Sequence, residues 1–288
     1  MKINKLTLSL LGLSFLTLSC SNDDDNSASV NLQDLQVTID ENPTSGQIVG
    51  TVLSNSSNPL TFSIVSQTPA SALEIDPTTG ELSVLDAGLF DFEMNPTITA
   101  IVSSSEATNT AVVTVNLTNI NEIGDYNYGG VVFWIDPTDD TKGLVCAVTD
   151  QSSSIRWHDT QQPSITGTTS TSLQTGSTNT DLIIASLGSN FAAGVARAYN
   201  GGGFTDWFLP SVDELKEMAN NRAAIDATAV ANSGTALVAE PSNVSNGYWS
   251  SSQQSNGGSV YLVNLLVAGE NGGYAINFAR VRAVRAFE

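Results

Sequence analysis

The 288-residue chain carries 29 acids against 10 Lys and Arg, a formal charge of −19, with 41% apolar and only 14% charged residues. A surface of that sign repels DNA, RNA and other long polyanions and attracts divalent cations, which excludes a nucleic-acid partner. One histidine excludes a multi-histidine zinc site. Residues 31–123 hold eleven acids and no base, whereas residues 124–288 hold fifteen acids against eight bases, a net of −7.

In chain order, Lys2 and Lys5 precede a 13-residue apolar run over 6–18, shorter than the roughly 20 residues that span a bilayer. A basic start, an apolar stretch and small residues predict a secretory signal peptide over residues 1–19. Leu18-Ser19-Cys20 resembles the lipobox of bacterial lipoproteins, with Thr17 where that motif prefers Leu. The resemblance implies that Cys20 becomes the acylated N-terminus and anchors the chain to the outer membrane, each buried methylene contributing about 0.8 kcal/mol. Residues 20–30 then form an acidic tether without apolar periodicity. Its Asp23-Asp24-Asp25 resembles the surface-export signal of Bacteroidetes lipoproteins, which implies the outer face. A plain tether ending in the periplasm is the alternative. With Cys20 acylated, Cys146 has no partner for a disulfide, and its apolar run Gly143-Leu144-Val145-Cys146-Ala147-Val148 predicts a core thiol.

From residue 31 the pattern changes to short alternating strands: Val37-Thr38-Ile39, then 47–52, 60–64 and 111–117. Pro43-Thr44-Ser45-Gly46, Ser57-Asn58-Pro59 and Pro77-Thr78-Thr79-Gly80 punctuate them as turns. About seven strands in so short a span predict an all-β sandwich over residues 31–123. Four stretches in order resemble a cadherin repeat: Asp40-Glu41-Asn42, the run from Leu73 through Asp76 to Gly80-Glu81-Leu82, Phe90-Asp91-Phe92-Glu93, and Asn119-Ile120-Asn121-Glu122. The resemblance implies a calcium site with Glu41, Asp91, Glu93, Asn121 and Glu122 as ligands, a hard-oxygen set suited to Ca2+. The family's D-x-D, expected near Ser54-Asn55-Ser56, is missing. Asp91 and Glu93, two apart on an expected strand, share one face, which also suits a merely solvated acidic edge.

Residues 124–288 predict an α+β domain. Val131-Val132-Phe133-Trp134-Ile135 and residues 144–148 make a hairpin around Pro137-Thr138-Asp139-Asp140, followed by a Ser/Thr/Gly-rich loop over roughly 160–180. Helices are expected after Asn179-Thr180, over 191–199, and from a capping box, Ser211 with Glu214, that aligns Leu215, Met218 and Ala219. Strands return from Tyr248 to the end. Five stretches resemble the Lcl C-terminal domain family of bacterial surface proteins: Tyr128-Gly129-Gly130 with the hairpin strand, Lys142-Gly143-Leu144-Val145, residues 205–215, Tyr248-Trp249-Ser250-Ser251-Ser252, and residues 282–287. The resemblance implies a C-type lectin-like fold, with Trp207 and Trp249 in the core and Arg280, Arg282 and Arg285 bonded to acids. Glu240-Pro241-Ser242-Asn243 resembles the E-P-N of calcium-dependent lectins with one residue too many, and reads as a loop.

These readings make the chain a lipid-anchored cell-surface binding or adhesion protein, a cadherin-like spacer presenting a lectin-like domain to a glycan or protein. The alternative is an envelope scaffold without a glycan ligand. An enzyme of glycan metabolism ranks third, because Asp139-Asp140 and Asp213-Glu214 are turn and helix-start acids and no nucleophile–base pair is visible. No particular ligand-binding loop is indicated.

Overall fold

A computed structural model describes residues 29–165, 167–168, 170–239, 247–254 and 259–288. The expected signal peptide, Cys20, most of the tether and residues 240–243 lie outside the described residues. No described helix is long and apolar enough to cross a membrane. The chain divides into two compact units, Met1–Thr118 and Asn119–Glu288.

The first unit contains β1 (Leu35–Asp40), β2 (Ile48–Thr51), β3 (Phe62–Thr68), β4 (Leu73–Ile75), β5 (Glu81–Val84), β6 (Thr97–Ser104) and β7 (Ala111–Thr118). They form two sheets, β1-β7-β6-β3 and β2-β5-β4, the expected sandwich. Period-two alternation decides which face is inside: β7 buries Ala111, Val113, Val115 and Leu117, and β6 buries Ile98, Ala100 and Val102. These close on Leu73, Leu82, Val84 and Phe90 as one core. Between β4 and β5, Asp76 Oδ1 accepts the N–H groups of Thr78 and Thr79 at 2.7 and 3.0 Å, which holds its carboxyl below the usual range. Gly80 completes that turn at φ +73°, where a Cβ would press on Val52 O.

One expectation fails here. Asp91 and Glu93 do not share a strand face, because residues 92–94 form a turn before β6. Phe90 is fully buried, and Asp91 Oδ1 takes the N–H of Met94 at 2.9 Å, a local bond that competes with strand pairing.

The second unit contains β8 (Tyr126–Asn127), β9 (Gly130–Asp136), β10 (Asp139–Cys146), β11 (Ser152–Arg156), α1 (Gly176–Leu187), α2 (Ala192–Arg197), α3 (Val212–Asn220), α4 (Arg222–Ala231), β12 (Tyr248–Gln253), β13 (Val260–Asn264), β14 (Gly269–Gly273), β15 (Phe278–Val281) and β16 (Val284–Phe287). Its sheets run β16-β10-β9-β8 and β11-β15-β12-β13-β14, and with four helices among the described residues the unit is α+β. The continuous apolar run of β9 suits a strand covered on both faces. Val131 and Phe133 join a core with Leu215, Met218 and Ile225 of α3 and α4, while Val132 faces the other way into a core with Trp157, Trp207 and Trp249.

The capping box forms as expected: Ser211 Oγ accepts the N–H of Glu214, and Glu214 Oε2 accepts that of Ser211 at 2.7 Å. Helix α1 starts earlier than expected, because its cap is tertiary. Glu214 Oε1 accepts the N–H of Gly176 at 3.2 Å, and a Cβ on Gly176 would collide with Glu214 Oε2. Helix α4 was not anticipated. Its segment is alanine-rich and buries only Ile225 and Ala229, so helix propensity rather than an apolar stripe marks it.

Candidate metal centre

Glu41 follows the last residue of β1, where its N–H bonds Thr118 O at 3.1 Å and keeps the parallel β1–β7 register to its end. The next residue turns back, Asn42 N–H bonding Phe90 O at 2.8 Å. This stitch brings the end of β1 against the 91–94 turn. Glu41 is only 3% exposed, and its Oε2 accepts the N–H of Phe92 at 2.7 Å. Asp91 is half-buried and Glu93 exposed, and one carboxylate oxygen from each of the three acids lies within 4.8 Å of the others.

Three carboxylates at that spacing, with no base anywhere in residues 31–123, are a concentrated negative charge. Carboxylates this close disfavour one another, an effect that solvent screens in part at the exposed Glu93. A hard divalent cation fits the oxygen-only donor set, with water and backbone oxygen completing its usual six to eight ligands. Asn121 and Glu122 belong to the second unit. There Asn121 Nδ2 donates to Asp140 O at 2.9 Å and its Oδ1 accepts from Tyr128 Oη at 3.0 Å, while the Glu122 N–H bonds Asp125 Oδ2 at 2.8 Å.

The second unit organises its charges differently. Asp150 accepts from Arg282 Nε at 2.7 Å, Arg280 Nη1 at 3.2 Å and Tyr248 Oη at 3.1 Å. Arg282 has no exposed surface and gives its remaining donors to Ala147 O and Thr235 O. Arg285 grips Asp206 with Nε and Nη2 at 2.7 and 2.9 Å, which lowers the Asp206 pKa, and it lies 3.8 Å from the Phe204 ring centroid. The three arginines therefore bond acids as the sequence led us to expect. The identity of Asp150 as the shared acceptor carries no sequence signal, since its partners lie 98 to 132 residues away.

Trp207 and Trp249 are fully buried, with indole N–H groups on Gly201 O and Ile155 O. Neither is a surface platform. Burial pushes the Cys146 thiol up to about 12, as a core thiol requires. Burial also pushes the Glu214 carboxyl up to about 7, against the pull of the backbone donors at Ser211, Gly176 and Gln174.

The model of the Lcl C-terminal domain matches residues 146–285. No curated protein matches the chain. Among solved structures, the chain is similar to protocadherin gammaB7 domains EC3-6 at 15% identity and TM-score 0.30, over 35% of this chain and 28% of that one. It is similar to human protocadherin-24 EC1-2 at 19% identity and TM-score 0.29, over 33% of this chain and 47% of that one. The third cadherin domain of human protocadherin 7 aligns at 20% identity and TM-score 0.29, over 35% of this chain and 93% of that domain. The chain thus spans less than half the length of the first two.

Proposed function

We propose that this is a surface lipoprotein that binds an extracellular glycan or protein through its C-terminal unit. The observation that carries the reading is the match of residues 146–285 to the Lcl C-terminal domain, a domain the sequence also resembles from Tyr128 to Phe287. By that resemblance the unit is a lectin-like binding module. The N-terminal sandwich precedes it in the chain as a cadherin-like spacer whose Glu41, Asp91 and Glu93 hold calcium. The ion supplies positive charge that the sequence of residues 31–123 lacks. Cys20 is the acylation site, and the outer membrane is the location.

Two measurements test this reading. Protease treatment of intact cells should release the protein, and Cys20→Ala should move it from the membrane fraction to the soluble one. Purified protein should bind features on a glycan array or a defined surface protein. A Cys20→Ala variant that stays membrane-bound sinks the anchor. Absence of any ligand on arrays and in surface pull-downs leaves the scaffold reading in its place.

A further inference from the structure

In the second unit two hollows of about 310 and 610 Å3 share one wall, Thr149-Asp150-Gln151. The wall is fixed in place. Asp150 carries the three bonds described above, and Gln151 donates its N–H to Val281 O at 2.9 Å while its Oε1 accepts from Ala283. Of the two arginines on Asp150, Arg282 is sealed and hydrogen-bonded at each of its three nitrogens. Arg280 is different: its side chain is 23% exposed, it lines the larger hollow, and Nη1 makes its one ion pair. Its Nε is buried without a hydrogen-bond partner.

Two observations follow from this geometry. Two guanidinium groups on one carboxylate leave a positive charge in excess, and among the described residues no other acid pairs with either arginine. The buried Nε–H without an acceptor is unfavourable where it stands and keeps the guanidinium short of full pairing. An anion at the exposed part of Arg280 offsets the excess charge. A carboxylate suits a guanidinium, whose N–H groups it accepts in charge-assisted bonds. The rest of the larger hollow is hydroxyl-rich, with Ser152, Ser153 and Thr235 beside the short apolar patch of Ala236 and Val238. Its volume is within the ~300–1,000 Å3 of ordinary small-molecule sites.

We propose that this hollow binds a small hydroxylated carboxylate, the chemistry shared by free uronic acids and open-chain sugar acids. The carboxylate sits on the exposed part of the Arg280 side chain, and the hydroxyls bond Ser153 and Thr235. The excess charge is local, since salt screens it beyond about 8–10 Å, whereas the whole chain at −19 repels a long polyanion. The site therefore selects a small anion rather than a charged polymer. The inference rests on the reading of this unit as a binding module and specifies one ligand class for it.

Calorimetric titration of the full chain with glucuronate, gluconate, glucose and sulfate at fixed ionic strength tests the assignment. Binding by one or both carboxylates is expected, and the pair shows whether the ring or the open chain is preferred. Glucose and sulfate should give no heat. Arg280→Gln should weaken carboxylate binding by about tenfold or more, because Asp150 keeps Arg282 and Tyr248. Ala236→Trp, which fills the hollow with Arg280 untouched, should abolish binding, and it carries the test alone if Arg280→Gln does not fold. Silence with both carboxylates, equal binding of glucose or sulfate, or full binding in both variants overturns the proposal. If small carboxylates fail while the protein still captures a macromolecular ligand, this site falls and the binding function stands. If neither binds, both fall.

Discussion

In the N-terminal unit carboxylates end mainly on the backbone: Glu41 on the N–H of Phe92, Asp34 on Val112, Asp76 on Thr78 and Thr79, Asp86 on Gly88. No Lys or Arg exists in residues 31–123 to meet them. In the C-terminal unit the same residue types meet guanidinium groups, Asp150 with Arg280 and Arg282, Asp206 with Arg285, and Glu214 is sealed between two helix starts. Backbone donors fix a carboxylate's position without cancelling its charge, while a buried arginine does both. The acids of residues 31–123 are thus placed without any Lys or Arg of that segment, whereas Asp150 and Asp206 meet arginines of their own unit.

The largest expected effect breaks the second half of this contrast. Arg282→Ala removes a fully buried cation, leaves Ala147 O and Thr235 O without that donor, and takes from Asp150 its shortest bond. Breaking a buried pair from one side costs about 3–5 kcal/mol. Calorimetry of the full chain should show the C-terminal transition lowered by several degrees and the N-terminal one unmoved. A change of under about 1 kcal/mol would mean that Arg282 is not what neutralises Asp150.

A somewhat smaller effect comes from the acid that no cation meets. The Glu214 carboxyl, at about 7 in the folded unit against an ordinary 4.5, holds its proton more tightly when folded. Its contribution is complete below about pH 4.5 and is lost as pH rises through 7. At 1.36 kcal/mol per pKa unit the full loss is about 3 kcal/mol. Denaturant melts from pH 4.5 to 8 should show this decline, and Glu214→Gln should remove it, since Gln cannot ionise. Stability that rises over the same interval would show the anion to be the favoured buried form, held by its backbone donors. Asp206 has the opposite sign: its lowered pKa adds stability that is lost as pH falls through the folded value.

The smallest effect sharpens the first half. With calcium at one hundred times its dissociation constant, the N-terminal transition should gain about 2.7 kcal/mol, with affinity in the weak range of about 10⁻⁴–10⁻³ M. Magnesium at matched ionic strength should do less, and Asp91→Asn with Glu93→Gln should abolish the calcium gain. Equal shifts with both ions would reduce the cluster to general screening.

Features held by nearby residues were legible in the sequence, and those assembled from distant residues were not. Ser211 and Glu214 are three apart, so their mutual bonds appear as a motif. The second role of Glu214, capping α1 at Gly176 across 38 residues, leaves no local trace. Strand alternation predicted the sandwich, yet failed for Asp91 and Glu93, where a side-chain bond to Met94 outcompeted the ladder. The motif marks Glu41, but the stitch through Asn42 and Phe90 that brings it to the other two acids is a long-range backbone bond with no local signature. Arginines near acids were predictable in kind, and Asp150 as their common acceptor was not.

The sealed thiol of Cys146 has a practical consequence. With its pKa near 12 and no exposed surface, it reacts negligibly with maleimide or iodoacetamide while the fold is intact. Any label taken up by the native protein therefore reports Cys20 alone. The acylation proposed for Cys20 would block that uptake and a free Cys20 would take one equivalent, so labelling reads out the proposal directly, with a denatured sample supplying the Cys146 reference.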